Sequence, residues 1–209
     1  MSKEDTAFFE LAIKSNALLL GDFTLKSGKK SPYFFNIGSF FNEGYVDGLA
    51  ALYSDLIIKG QFEFDVIFGP AYKGIPLAAA VATCLGMRTA RPIPFAFNRK
   101  EEKSHGEGGN IVGELKDKKV FIIDDVLTAG TALKQSMEII SNAGGKLTGC
   151  MVALDREEIF DQMTARENIS KEFGIEITSI AKISQLVDFF DLSGRKDEAN
   201  VIRKYLSNL

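Results

Sequence analysis

The chain has no excess of basic residues. Lysine and arginine total 25 against 28 aspartates and glutamates, a formal charge of −3, which argues against a general nucleic-acid surface. Cysteine is scarce. Cys84 and Cys150 each lie inside an apolar run, LAAAVATCLG and LTGCMVAL, and read as buried free thiols of a reducing cytoplasm. No apolar run is long enough to span a bilayer. The longest, Ile75 to Met87, is Ala-rich and carries Pro76 at its start. The first ten residues, MSKEDTAFFE, bring early acids and no clean apolar core, so they are not expected to be a secretory signal. A Gly-x-Gly-x-x-Gly turn is missing, which opposes a dinucleotide-binding oxidoreductase. Gly69 to Gly74 spaces two glycines as a nucleotide P-loop does, but Ile75-Pro76 follows where Lys-Ser/Thr would be needed. Internal repeats, linkers and low-complexity tracts are absent. What is left is an ordinary soluble composition, 45% hydrophobic and 25% charged over 209 residues, read as one domain over residues 1–209 with a sizeable core.

Apolar periodicity predicts an alternation of helices and strands. Asp5 to Leu20 reads as an amphipathic helix ended by Gly21, with Phe8, Leu11, Ala12 and Ser15 on one side. Two aromatic strands follow, Phe23 to Gly28 and Ser31 to Asn36, around a Ser-Gly-Lys-Lys turn. Their rings either pack or stack on a planar ligand. Gly44 to Lys59 is a helix, Phe64 to Phe68 a buried strand, and Ile75 to Leu85 an Ala-rich helix with Pro76 in its first turn. Lys73, between the two glycines, is either a solvated loop lysine or a phosphate contact. Thr89 to Phe97 is a strand bent or placed at an edge by its prolines. Asn98 to Gly113 then breaks all periodicity and is read as a loop. It carries Arg99, Lys100, Lys103 and the only histidine, His105, before Gly106, Gly108 and Gly109. A charged, glycine-rich stretch of this kind is either a solvated loop or an anion-binding lid. Lys146 to Leu154 is a strand, Thr164 to Phe173 a helix, Gly174 to Ala181 a strand, and two helical segments follow Ser184. Strands separated by helices predict an α/β fold: a mainly parallel sheet flanked by helices.

The most informative stretch is Lys119 to Leu133. Val120 to Ile123 is a short buried strand, Asp124 and Asp125 follow at once, and Thr128-Ala129-Gly130-Thr131 opens a helix marked by Leu133, Met137 and Ile140. A helix start has unpaired N–H groups and a partial positive charge. Small residues there let a phosphate approach the backbone, and two threonine hydroxyls add donors. Adjacent carboxylates at a strand's carboxyl end suit ribose hydroxyls or a magnesium ion. Arg156, in Asp155-Arg156-Glu157-Glu158, falls at another strand's carboxyl end.

VFIIDDVLTAGTA resembles the phosphoribosyl diphosphate (PRPP) signature of the type I phosphoribosyltransferases. With LKSGKKSPYFFN, GPAYKGIP, FNRKEEKSHGEGG and LDREE in order, the resemblance narrows to the orotate phosphoribosyltransferases of bacteria and fungi. It implies that fold with a small N-terminal hood over residues 1–40. It also implies a transferase joining orotate to PRPP with Mg2+, giving orotidine 5′-phosphate and pyrophosphate in pyrimidine synthesis. PRPP would be held by Asp124, Asp125, Val126, Leu127, Thr128, Ala129, Gly130, Thr131 and Ala132, with Tyr72 and Lys73 on its pyrophosphate and Lys26 in contact. Phe34, Phe35, Thr128 and Arg156 would contact orotate. Arg99, Lys103 and His105 would reach in from the other subunit of a homodimer with shared sites, and Lys100 from the same chain. Lys103 and Asp125 are the candidate catalytic residues. The family's lid often has an acid just before its histidine; here that position is Ser104. The alternatives are a phosphoribosyltransferase for another base and a PRPP-sensing regulator without catalysis. Arg156 argues against a purine, which has no carboxylate. The lack of a DNA-binding domain or basic excess argues against the regulator.

Overall fold

The computed structural model describes residues 1–24, 28, 30–103, 109–160 and 162–207, and only the backbone of 100–103 and 109. The first helix, α1, spans Lys3–Lys14. Ser2 Oγ accepts from the Asp5 N–H at 3.1 Å, and the Asp5 carboxylate accepts from the Ser2 N–H at 2.7 Å; this reciprocal pair fixes the helix start. Phe8, Phe9 and Ala12 face the core and are fully buried. The helix ends well before Leu20, because Leu18–Thr24 forms β1. A run of leucines suits a helix or a strand equally. Here the choice is made by β2, Lys30–Phe35, which pairs antiparallel with Leu18 opposite Phe35 and Leu20 opposite Tyr33.

Next come α2, Gly38–Asn42, and α3, Val46–Gly60. All four residues of β3, Val66–Gly69, are buried, as a strand covered on both faces requires. Then follow α4, Gly74–Thr89; β4, Phe95–Lys103; β5, Gly109–Val112; β6, Lys119–Leu127; and α5, Thr131–Asn142. The chain continues through β7, Lys146–Asp155; β8, Ile159–Phe160; β9, Met163–Thr164; and α6, Ala165–Phe173. It closes with β10, Glu176–Lys182, and with α7, Ile183–Leu192, and α8, Lys196–Leu206.

Six strands form the main sheet in the order β10-β7-β6-β3-β4-β5, all parallel except β5. From β3 the chain moves outward to β4, then returns to the far side of β3 for β6. The strand order therefore reverses between β3 and β6, and open α/β sheets place their ligands at such a point. Side chains alternate between two buried clusters. Ile67, Phe121, Ile123 and Met151 join the cluster with α1, α3, α4, α7 and the β1–β2 hairpin; Phe68, Val120, Ile122 and Val152 join that with α5 and α6. Each such side chain contributes ~1.5–3 kcal/mol by its burial.

The sequence reading of residues 98–113 as a loop needs correction. Its first and last parts are the arms of an antiparallel hairpin, with Asn98 opposite Ile111 and Lys103 opposite Gly109. Main-chain pairing makes these strands, and main-chain pairing leaves no apolar pattern to read. Ser104, His105 and Gly106 to Gly108 lie outside the described residues.

Candidate active site

The acid pair terminates the apolar part of β6. Asp124 and Asp125 still pair as strand, and each bends its carboxylate back to the main chain. Asp124 Oδ1 accepts from the Asp125 N–H at 2.9 Å, and Asp125 Oδ1 from the Val126 N–H at 2.8 Å. From α3, the Tyr53 hydroxyl donates to the Asp124 carbonyl at 2.7 Å. Burial, reinforced by the charge of Asp125, pushes the Asp124 carboxyl up to about 7. The buried Tyr53 hydroxyl is pushed upward by the same cause.

Across the reversal point, the loop after β3 brings Lys73 Nζ to 3.5 Å from Asp125 Oδ2 and 3.4 Å from Asn36 Oδ1. The Ala71–Tyr72 peptide in this loop is cis, and the Ala71 N–H donates to Asn98 Oδ1 at 3.0 Å. Tyr72 stands exposed beside it. Gly69 and Gly74 let the loop fold tightly, since a Cβ on Gly69 would collide with the Gly74 carbonyl.

Beyond β6 the chain turns through Thr128 and Ala129 to Gly130, whose φ is +78°. Gly130 is the cap of α5 and offers no side chain, so the first-turn N–H groups have no side-chain cap among the described residues. These donors open on a cavity of about 240 Å3 lined by Asp124, by Val126 through Leu133 and by Val152. Such a site suits a phosphate. A Cβ at Gly130 would also strike Ile169 of α6, so the loop is pressed into place from behind.

Arg156 leaves β7 beside this loop, its N–H donating to the Leu127 carbonyl at 3.0 Å. It is only 8% exposed. Its Cζ lies 4.9 Å from the centre of the Tyr33 ring, and its Nε lies 3.2 Å from Glu158 Oε1. Among the described residues neither Nε nor Nη2 has a hydrogen-bond partner, nor has the buried Tyr33 hydroxyl. Buried donors of this kind each cost ~1–3 kcal/mol, and a ligand carboxylate would satisfy them.

The two hairpin phenylalanines part company. Phe35 packs at 6.0 Å from Phe8 and 6.4 Å from Phe40, whereas Phe34 is 40% exposed with its ring 5.5 Å from Phe23. Arg99 is half-buried in β4. Lys100 and Lys103 belong to β4 by backbone, but their side chains lie outside the description, as do Lys26 and His105 altogether. The structure thus brings Lys73 to Asp125 and Asp124 to the Thr128–Ala132 loop, with Arg156 main-chain bonded to Leu127, the residue before that loop. The sequence reading overlooked Asn36, Tyr53 and Asn98. Asn36 and Asn98 each follow an aromatic strand run, and a polar residue ending such a run was the available signal. Tyr53 gave none.

The phosphoribosyl transferase domain family matches residues 42–183. An orotate phosphoribosyltransferase of Kluyveromyces lactis is 47% identical over 207 residues, covering 95% of this chain and 92% of the relative. One from Stenotrophomonas maltophilia is 47% identical over 193 residues, covering 90% and 88%. The crystal structure of an orotate phosphoribosyltransferase from Francisella tularensis superposes with a TM-score of 0.87 at 35% identity, over 100% of this chain and 98% of that one. The chain therefore belongs to the phosphoribosyltransferase domain family and, within it, to the orotate phosphoribosyltransferases.

Proposed function

We propose that the chain moves the phosphoribosyl group of PRPP to orotate at this site, giving orotidine 5′-phosphate and pyrophosphate in pyrimidine nucleotide synthesis. The observation that carries this reading is the convergence just described. A cation, a carboxylate pair and an uncapped helix start meet at the sheet's reversal point, and a buried arginine whose Nε and Nη2 have no hydrogen-bond partner among the described residues is main-chain bonded to Leu127, just before that helix start.

The 5-phosphate takes the Thr128–Ala132 N–H groups and threonine hydroxyls. Asp124 and Asp125 fix the ribose hydroxyls. Lys73 and Tyr72, with Lys26, hold the pyrophosphate side. Arg156 grips the orotate carboxylate by charge-assisted bonds, while Thr128 and the exposed face of Phe34 border the ring. Phe35 contributes through its main chain, since its ring is in the core. As the bond from ribose C1 to pyrophosphate breaks, positive charge grows on the sugar and negative charge on the leaving group. Orotate is already an anion, so positioning and electrostatics do most of the work. In this reading Arg99, Lys103 and His105 close over the leaving group from the other subunit of a homodimer, with Lys100 from the same chain. Lys103 neutralises charge as it develops. Closure excludes water, which strengthens these interactions and guards PRPP against hydrolysis.

Among the described residues no group of three metal-ligating side chains occurs. Asp124 and Asp125 each have one oxygen engaged by a main-chain N–H. This fits Mg2+, which keeps several waters and takes one or two carboxylates with substrate phosphates. The ion would supply positive charge to the diphosphate. No helix among the described residues is long and apolar enough to cross a membrane. Both cysteines are free, which supports a cytoplasmic setting.

Mixing the protein with PRPP, Mg2+ and orotate should lower orotate absorbance as product forms. Turnover of a purine base with no change in orotate would overturn the assignment.

A further inference from the structure

Three acids surround Arg156 in Asp155-Arg156-Glu157-Glu158. Asp155 is buried, and its Oδ1 accepts from the Glu157 N–H at 2.9 Å. Glu157 takes a left-handed conformation, φ +53°, and its carboxylate accepts from the Ser184 N–H at the start of α7 at 2.8 Å. The Glu158 carbonyl accepts from the Ala165 N–H, the first residue of α6, at 3.3 Å. The turn is thus tied to two helices, and Glu158 is delivered to a fixed place.

Its side chain folds inward against the arginine, the two side chains being 16% and 10% exposed. None of the transfer steps uses Glu158. Left without a role, a buried carboxylate beside a subsite for an anion would only repel the ligand. The geometry gives it one. The 3.2 Å approach to Nε is an attraction of charges and not an aimed hydrogen bond, since Nε and Nη2 both lack hydrogen-bond partners among the described residues. The Tyr33 ring supports the guanidinium from another side. Both contacts restrain the group while Nε and Nη2 keep no hydrogen-bond partner among the described residues.

We propose that Glu158 and the Tyr33 ring are positioning residues for Arg156, holding its guanidinium so that the free donors meet the orotate carboxylate. This rests on the reading of Arg156 as the orotate ligand. It requires Glu158 to act on orotate alone, and only through Arg156.

Glu158→Gln keeps the shape and removes the charge. Calorimetric titration should show orotate binding weakened roughly five- to twentyfold, with PRPP binding changed less than twofold. Arg156→Ala should weaken orotate binding strongly. In that background Glu158→Gln should add less than a twofold effect, because the group it positions is gone. Unchanged orotate binding in Glu158→Gln overturns the inference. So does an equal effect in both backgrounds, or a parallel loss of PRPP and orotate binding, each of which marks Glu158 as merely structural. If Arg156→Ala itself leaves orotate binding intact, the underlying assignment of Arg156 falls and this inference with it.

Discussion

Replacing Asp124 with asparagine should stabilise the protein at neutral pH while weakening its hold on PRPP. The carboxyl titrates near 3.8 in an open chain and is pushed up to about 7 in the fold, by burial first and then by Asp125. Between those values the folded chain keeps a proton that the unfolded chain has released. Stability must then fall as pH rises through this window, and change no further from this source once Asp124 is ionised in both states. About three units at 1.36 kcal/mol each set a ceiling of ~4 kcal/mol. That value already includes the offset from Lys73 and the Asp125 N–H; about two of the three units lie above pH 5, and water reaching the partly open side chain screens them further. A change of ~1–2 kcal/mol between pH 5 and pH 8 is therefore expected. Asparagine stays neutral throughout, and its Oδ1 can still accept from the Asp125 N–H. Urea unfolding of both proteins should give a gap favouring the variant that is clearly wider at pH 8 than at pH 5. PRPP titration should show weaker binding by the variant. A gap that ignores pH, or one that closes as pH rises, would refute the reasoning, because the carboxylate would then not be paying for its burial.

Three further outcomes are expected. Arg156→Lys keeps the charge and loses the planar fork, so orotate affinity should fall roughly ten- to a hundredfold while PRPP affinity hardly moves; equal losses in calorimetry would remove Arg156 from the orotate subsite. Gly130→Ala forces a side chain into φ +78° and against Ile169, which should cost at least ~1–2 kcal/mol and lower the melting temperature by several degrees. PRPP affinity should drop with it, and a variant normal in both respects would show that the loop needs no glycine. Lys103→Ala and Arg156→Ala should each be nearly inactive alone. After random subunit exchange, about half the dimers are mixed and half their sites intact, so activity should recover to roughly a quarter of wild type. Confirmed exchange without recovery would rule out a shared site.

The centre of the fold was legible because each part of Lys119 to Leu133 has a local meaning. Val120 to Ile123 alternate between two buried faces, so every one is apolar. Asp124 and Asp125 follow where that burial ends. Thr128, Gly130 and Thr131 are small where a ligand must approach. The failures have a different origin. Leu18 to Leu20 fit a helix or a strand, and only pairing with Tyr33 and Phe35 selects the strand. The arm ending at Lys103 is held by main-chain bonds, which carry no side-chain signature. Asn36, Tyr53 and Glu158 matter through partners 37, 71 and 2 positions away. Of these, even the nearest was overlooked, because an acid after Arg156 reads as a solvated charge until its burial is known.

Burial also separates the two ion pairs of the site. Lys73 is 53% exposed, and its 3.5 Å contact with Asp125 is of the kind that contributes ~0–1 kcal/mol. On the proposed reading, pyrophosphate oxygens would draw Lys73 away at little cost and so free Asp125 for the ribose. The pair of Arg156 and Glu158 is shielded from water on both sides. Breaking a buried pair leaves a charge uncompensated and costs ~3–5 kcal/mol, so on the proposed reading orotate would not displace Glu158 but would bind to the donors that Glu158 leaves unused. The proposed reading thus requires one pair to exchange as PRPP arrives and the other to persist through the reaction, an adjustable PRPP side beside an orotate side set before its ligand binds.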